Sequence, residues 1–220
     1  MKRSTVLLAT TIGIGVLYLA STLALGTPPD AADRGEDVVS WFRDNSGHVH
    51  TWLWLLTLSL PLFALYGSFI RNRLSPPYGD VFFFGTAAFA AQTAVYGWLW
   101  AALAWHTDTL QPATARLVFD IASYWGPVLT ATTIMTLAPV TILALQRRDG
   151  LPQWLGVVAG IALAEQLVET VTIFGDHGFI APGGAMNNFL GAGLTAIAWI
   201  CIGVVVARSL DNENAALASR

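Results

Sequence analysis

Residues Trp154 to His177, WLGVVAGIALAEQLVETVTIFGDH, decide the fold. Trp154 to Phe174 is 21 residues without a basic side chain, close to the ~20 an α-helix needs to cross a hydrocarbon core. The run nevertheless carries Glu165 and Glu169. Residues four apart share one helix face, so both carboxyl groups point the same way, Glu165 near mid-depth and Glu169 a turn closer to one surface. A charged side chain at that depth costs at least about 2.5 kcal/mol on insertion scales, and such residues face a bundle interior. Other apolar helices must therefore cover the pair, and at least one carboxyl is expected to carry its proton and donate a hydrogen bond.

Composition agrees. The 220-residue chain is 55% hydrophobic and 11% charged, against about 25% charged in soluble domains, and its mean hydropathy is +0.57. An all-α integral membrane six-helix bundle with short loops is predicted, as one domain, with spans at Thr5–Leu25, Thr51–Ile70, Val81–Trp105, Leu117–Leu145, Trp154–Phe174 and Asn188–Ala207. A net charge of −3 with no basic run gives no sign of nucleic-acid binding. The single cysteine, Cys201, lies in an apolar span and has no intramolecular disulfide partner. Nine tryptophans, several at span ends, suit an interfacial aromatic belt.

The first apolar run follows Lys2 and Arg3 and is 21 residues long, longer than the ~7–15 of a signal-peptide core, so it is read as a retained span. Residues 26–50 form the longest polar connection. Thr27-Pro28-Pro29-Asp30 breaks the first helix, and Asp33 followed by Glu36 resembles a helix N-cap. Residues 36–45 are expected to form a short helix lying in the interface plane, or else a loop packed over the bundle mouth. Pro61 is expected to kink span two. Span four, at 29 residues, must tilt or bend, with Pro127 and Pro139 as candidate bends. A short polar tail, Arg208 to Arg220, ends the chain.

Orientation follows from charge. Eight of the eleven basic residues (Lys2, Arg3, Arg71, Arg73, Arg147, Arg148, Arg208 and Arg220) fall at one end, and only Arg34, Arg43 and Arg116 at the other. This bias places both termini in the cytoplasm and the protein in a bacterial cytoplasmic (inner) membrane as a multi-pass protein.

Two segments carry a family resemblance. Glu36-Asp37-Val38-Val39-Ser40-Trp41-Phe42-Arg43-Asp44-Asn45 resembles an E-x-V-V-x-[FYW]-[FY]-R-D motif, and Gly150-Leu151-Pro152-Gln153-Trp154-Leu155-Gly156 an LPxWLG motif. Both are similar to segments of a broad family of uncharacterised bacterial six-span membrane proteins. The resemblance implies six helices with cytoplasmic ends and no assigned activity. Glu165, Glu169 and the Gly175-Asp176-His177 turn lie outside it.

Two constellations could carry chemistry. Gln92 and Glu165 lie at similar depth, so a buried polar site is predicted from Glu165, Glu169, Gln92, Tyr96, Thr130 and Thr133, with Asp120 near its outer mouth and Gln92 paired to Glu165. Interhelical hydrogen bonds of this kind contribute roughly 0.6–2 kcal/mol each. All four histidines, His48, His50, His106 and His177, fall on the outer side and are candidate metal or haem ligands. They show no H-E-x-x-H spacing, and two residues apart His48 and His50 diverge on a helix. No motif implies a cofactor, and no nucleophile–base pair, Walker loop or dinucleotide motif occurs. The first expectation is a non-enzymatic protein, either an accessory or scaffold subunit or a bundle binding lipid or a small ligand in an acidic pocket open to the outer side. Its partners would be membrane lipid or another membrane protein. The alternatives are a proton- or cation-coupled carrier using Glu165 and Glu169, and a metal or haem redox protein or enzyme at the outer histidines.

Overall fold

The computed structural model describes residues 2–218; of the residues named above, only Arg220 lies outside them. The helices are α1 (Arg3–Leu25), α2 (Gly35–Arg71), α3 (Tyr78–Trp105), α4 (Pro112–Ser123), α5 (Trp125–Leu145), α6 (Gln153–Glu169) and α7 (Ala192–Ala218). A 3-10 turn, Thr170–Phe174, extends α6, and a π-helical turn, Met186–Gly191, leads into α7. With α4 and α5 stacked end to end, the chain is an all-α six-helix bundle. Its helices run α1–α2–α3–α5–α6–α7 around a closed ring, α7 packing back on α1.

Among the described residues five stretches are long and apolar enough to cross a membrane: Arg3–Leu25, Gly35–Arg71, Pro112–Leu145, Gln153–Phe174 and Met186–Asn212. Helix α3 is 28 residues long but is not among them. It packs between α2 and α5.

Helix α2 corrects the expected interfacial helix. Residues 36–45 neither lie across the bundle nor form a loop; they are the first turns of one 37-residue helix. At 1.5 Å per residue this is about 55 Å, well beyond a hydrocarbon core of ~30 Å. The surplus stands up at the end away from most of the arginines, exposing Glu36, Asp37, Arg43, Asp44, His48 and His50. Its start is also one residue later than Asp33 suggested. Arg34 is the N-cap, and Asp37 reaches back to the Arg34 backbone N–H and to its Nε, 3.2 Å away. Pro61 sits on the exposed face inside this helix without ending it.

The expected fourth span is two helices, not one, with the break at Tyr124. Proline clashes with the carbonyl four residues earlier. A restart at Trp125 puts Pro127 in a first turn, where its missing N–H has no helical partner to lose. The expected polar tail from Arg208 is likewise helical, as α7 runs on to Ala218.

Two packed clusters fill the ring. One, nearer the arginine-rich end, gathers Leu7, Tyr66, Ile70, Phe82, Leu137, Leu143, Leu155, Trp199, Ile202 and Val206. The other, at the far end, is aromatic: Phe42, Trp52, Trp100 and Phe119, with Val38, Val39, Val49 and Leu103. The arginine-rich end is tied by Ser75 N–H to Asp149 (2.7 Å) and by Arg73 Nη2 to Ser209 Oγ (2.7 Å). At the far end Trp41 Nε1 donates to the Thr27 carbonyl (2.9 Å), and Arg116 donates to the carbonyls of Ala31 and Asp33.

Candidate functional site

Between the two clusters the packing opens. One chamber holds about 750 Å³ of space free of protein atoms, its mouth included, and takes lining residues from every helix of the ring. A second, of about 950 Å³ counted the same way, shares Ile14, Tyr18, Phe63, Phe89, Trp125 and Ala192 with it. The two adjoin at these six side chains. Lining residues that also reach the surface mark the mouth, and these are Tyr18, Ile200, Gly26 and Phe189. All lie on or beside the far half of α1 and the start of α7. Lower down, Gly203 lies directly against Thr11 and Gly15 against Ile200. The two helices thus pack against each other up to Ile200, at the edge of the mouth.

The polar wall of the chamber is built around Glu169, which is 3% exposed. Its Oε1 accepts from Asn187 Nδ2 (2.5 Å) and its Oε2 from Gln166 Nε2 (2.5 Å). Gln166 Nε2 also donates to Glu165 Oε2 (2.9 Å), so one amide bridges the two carboxyl groups. Asn187 is fixed from behind, where the Gly183 N–H donates to its Oδ1 (2.9 Å), while the Thr133 hydroxyl lies within hydrogen-bond reach of both Gln166 Oε1 and the Thr130 carbonyl. With its oxygen occupied, Asn187 turns its NH2 to Glu169, and the Gln166 NH2 lies between both glutamates. Asn187 also donates to Thr172 Oγ1 (3.3 Å), linking the network to the 3-10 turn.

Two glycines allow this arrangement. A Cβ on Gly191 would lie 1.9 Å from Glu169 Oε2, and one on Gly126 would lie 2.7 Å from Asn187 Cγ. The π turn brings Asn187 and Gly191 onto α6 together; such wide turns are frequent at functional sites. Below Glu169, Trp199 Nε1 donates to Thr136 Oγ1 (2.9 Å) and Tyr66 Oη to the Trp199 carbonyl (2.7 Å). Phe63, Phe89 and Trp199 form a ring cluster with centroids 4.9 to 5.4 Å apart.

The sequence-predicted residues divide. Glu169, Thr130 and Thr133 line the same chamber, and Glu165 adjoins it through Gln166, only half-buried. Gln92 does not pair with Glu165. Its Oε1 accepts from Thr132 Oγ1 (3.2 Å) at the α3–α5 contact, while Glu165 lies on α6, beyond α5. Tyr96 stacks on Trp125 (4.5 Å) and lines the second chamber. Asp120 is outside the site, in an ion pair with Arg116 (2.5 Å). The histidines are exposed: His48 and His50 on α2, His106 after α3, with His50 and His106 both against Trp105, and His177 beside Asp176. Among the described residues no three His, Cys, Asp or Glu side chains gather to hold a metal ion.

No family model, curated protein or solved structure matches the chain. The family resemblance thus rests on Glu36–Asn45 and Gly150–Gly156 alone. Sequence reasoning missed Gln166 and Asn187. Gln166 stood between the two glutamates, a visible signal; Asn187 closed a polar loop, where nothing marked its reach.

Proposed function

We propose that the protein is a non-enzymatic, multi-pass protein of the bacterial cytoplasmic membrane that binds a small apolar or amphiphilic ligand between its two cores. What carries this reading is the chamber between the cores with its adjoining neighbour, apolar on most sides, polar at Glu169, with exposed lining residues on α1 and at the start of α7. Ligand sites have this makeup, an apolar concavity with a few placed polar groups, and in bundles they lie between helices. A carrier would also need a route to the arginine-rich end. There Tyr66, Leu137, Trp199 and Ile202 are buried together, which supports binding over passage. The exposed histidines lend a redox reading no support.

Gentle purification followed by mass spectrometry of the extracted small molecules tests the reading. A stoichiometric lipid or small molecule is expected. Ala196 lines the chamber and is half-buried, so Ala196→Phe should reduce that ligand several-fold without unfolding the protein. A clean, empty monomer would sink the proposal, and a stoichiometric protein partner beside an empty chamber would favour the accessory role.

The orientation is tested by single cysteines in a Cys201-free background. Positions near Asp108 and Gly183 should react with an impermeant reagent applied to intact cells with a permeable outer membrane, and positions near Arg147 should be shielded. External labelling at Arg147 would reverse the topology.

A further inference from the structure

Among the described residues lining the two chambers there is no lysine, arginine or histidine, yet a buried carboxyl group stands in the wall. We infer that the ligand is a hydrophobic monocation, an alkyl or aromatic ammonium, with Glu169 as its counter-charge. This deepens, and rests on, the ligand-binding reading.

Gln166 and Asn187 give Glu169 amide donors but no positive charge. A buried carboxyl without a counter-ion is balanced either by a proton or by a charge brought to it. Two features of the wall favour the second. Phe63, Phe89 and Trp199 line the same chamber, and ring faces attract cations, more strongly where water is excluded. Thr195, 5% exposed, also lines it, and its hydroxyl oxygen has no hydrogen-bond partner among the described residues. An ammonium has three donors and no acceptor, which suits a carboxylate and a hydroxyl with free lone pairs. An anion would be repelled by the first, and a neutral alcohol would gain little from it. The mouth at Tyr18 on α1 and Ile200 on α7 gives the apolar part a path to the surface.

The test uses the full chain in phosphatidylcholine nanodiscs at pH 7, with octylammonium, octanol and octanoate as probes that share a tail and differ in the head. Tryptophan fluorescence, corrected with empty nanodiscs, reads binding, since Trp125 and Trp199 line the chamber. Octylammonium should bind at least about tenfold tighter than octanol, and octanoate weakest. Glu169→Gln should bring octylammonium down to the level of octanol while octanol still binds. If that variant does not fold, the wild-type ranking and Thr195→Val decide, the latter expected to weaken octylammonium about threefold. Equal binding of all three probes, tightest binding by octanoate, or an ammonium preference that survives Glu169→Gln would overturn the inference and leave ligand binding standing. No binding by any probe would overturn both.

Discussion

Gly191→Ala is expected to lower the unfolding free energy by about 2–4 kcal/mol and to strip the protein of its ligand. The added methyl would sit 1.9 Å from Glu169 Oε2, 2.8 Å from its Cδ and 2.9 Å from Gln166 Nε2. None of these atoms ends a free side chain. Glu169 is held on both oxygens, and the Gln166 NH2 is held between both glutamates. Retreat is closed behind Asn187 as well, where Gly126 presses close. Overpacking of this kind costs about 1–3 kcal/mol, and each buried donor that loses its acceptor about 1–3 kcal/mol more. Alanine's better helix propensity returns about 1 kcal/mol. Gly193→Ala is the control. A Cβ there meets nothing within 4 Å, so only the propensity term applies and stability should hold or rise by up to about 1 kcal/mol. Unfolding in mild detergent, followed by heat or by denaturant, compares the two. Equal stability would mean that Gly191 does not press on Glu169.

Helix class and most helix ends were legible because they depend on local composition. Apolar runs closed by Thr27-Pro28-Pro29, by Arg71-Asn72-Arg73 and by Gly150-Leu151-Pro152 fall where α1, α2 and the α5–α6 turn end or begin. The start of α2 was misread because Asn45, Ser46, Gly47 and His48 look like a loop. They are helical because the helix stands clear of the bundle on that side, and its other face, Val38, Val39, Phe42, Val49 and Trp52, is buried against α3 and α4. That face repeats at helical spacing, so the signal existed; polar density hid it. Pro127 signalled a bend in the right place, but proline acts on the preceding turn, so the break lies at Tyr124.

The site was less legible, for a geometric reason. Counting residues from a span end gives depth along a helix and nothing about azimuth around the bundle. Gln92 and Glu165 were matched by depth, yet Gln92 faces Thr132 across the α3–α5 seam while Glu165 belongs to α6. Asn187 reaches Glu169 only because a π turn rotates it inward, and no local pattern in Met186 to Gly191 announces that turn. Asp120 had a partner one helical turn away, Arg116, and this ion pair takes it out of the buried set.

The glutamate pair should respond unequally to substitution, with Glu169 the more sensitive. Glutamine for glutamate keeps volume and hydrogen-bonding capacity, so from sequence both replacements look mild. In the structure Glu169 must accept on both oxygens from two NH2 groups. A glutamine there offers one oxygen and turns its own NH2 toward a second donor. Rotating Asn187 does not relieve this, because its Oδ1 already accepts from the Gly183 N–H, and turning the Gln166 amide would give up its bond to Glu165. Glu169→Gln should therefore cost about 1–3 kcal/mol. Glu169→Leu, which strands both amides, should cost about 2–5 kcal/mol. Glu165 accepts once, at Oε2, while its Oε1 has no partner. Glutamine can keep that single contact and remove a poorly paired, chargeable group, so Glu165→Gln should leave stability within about 0.5 kcal/mol or raise it slightly. Thermal unfolding of the three variants in one detergent measures the asymmetry, and the extracted-ligand assay beside it shows whether function follows the same residue. Glu165→Gln should retain its ligand and Glu169→Gln should lose it. If the two glutamine variants unfold alike, the amides are not oriented toward Glu169, and the acidic wall of the chamber is not built as described.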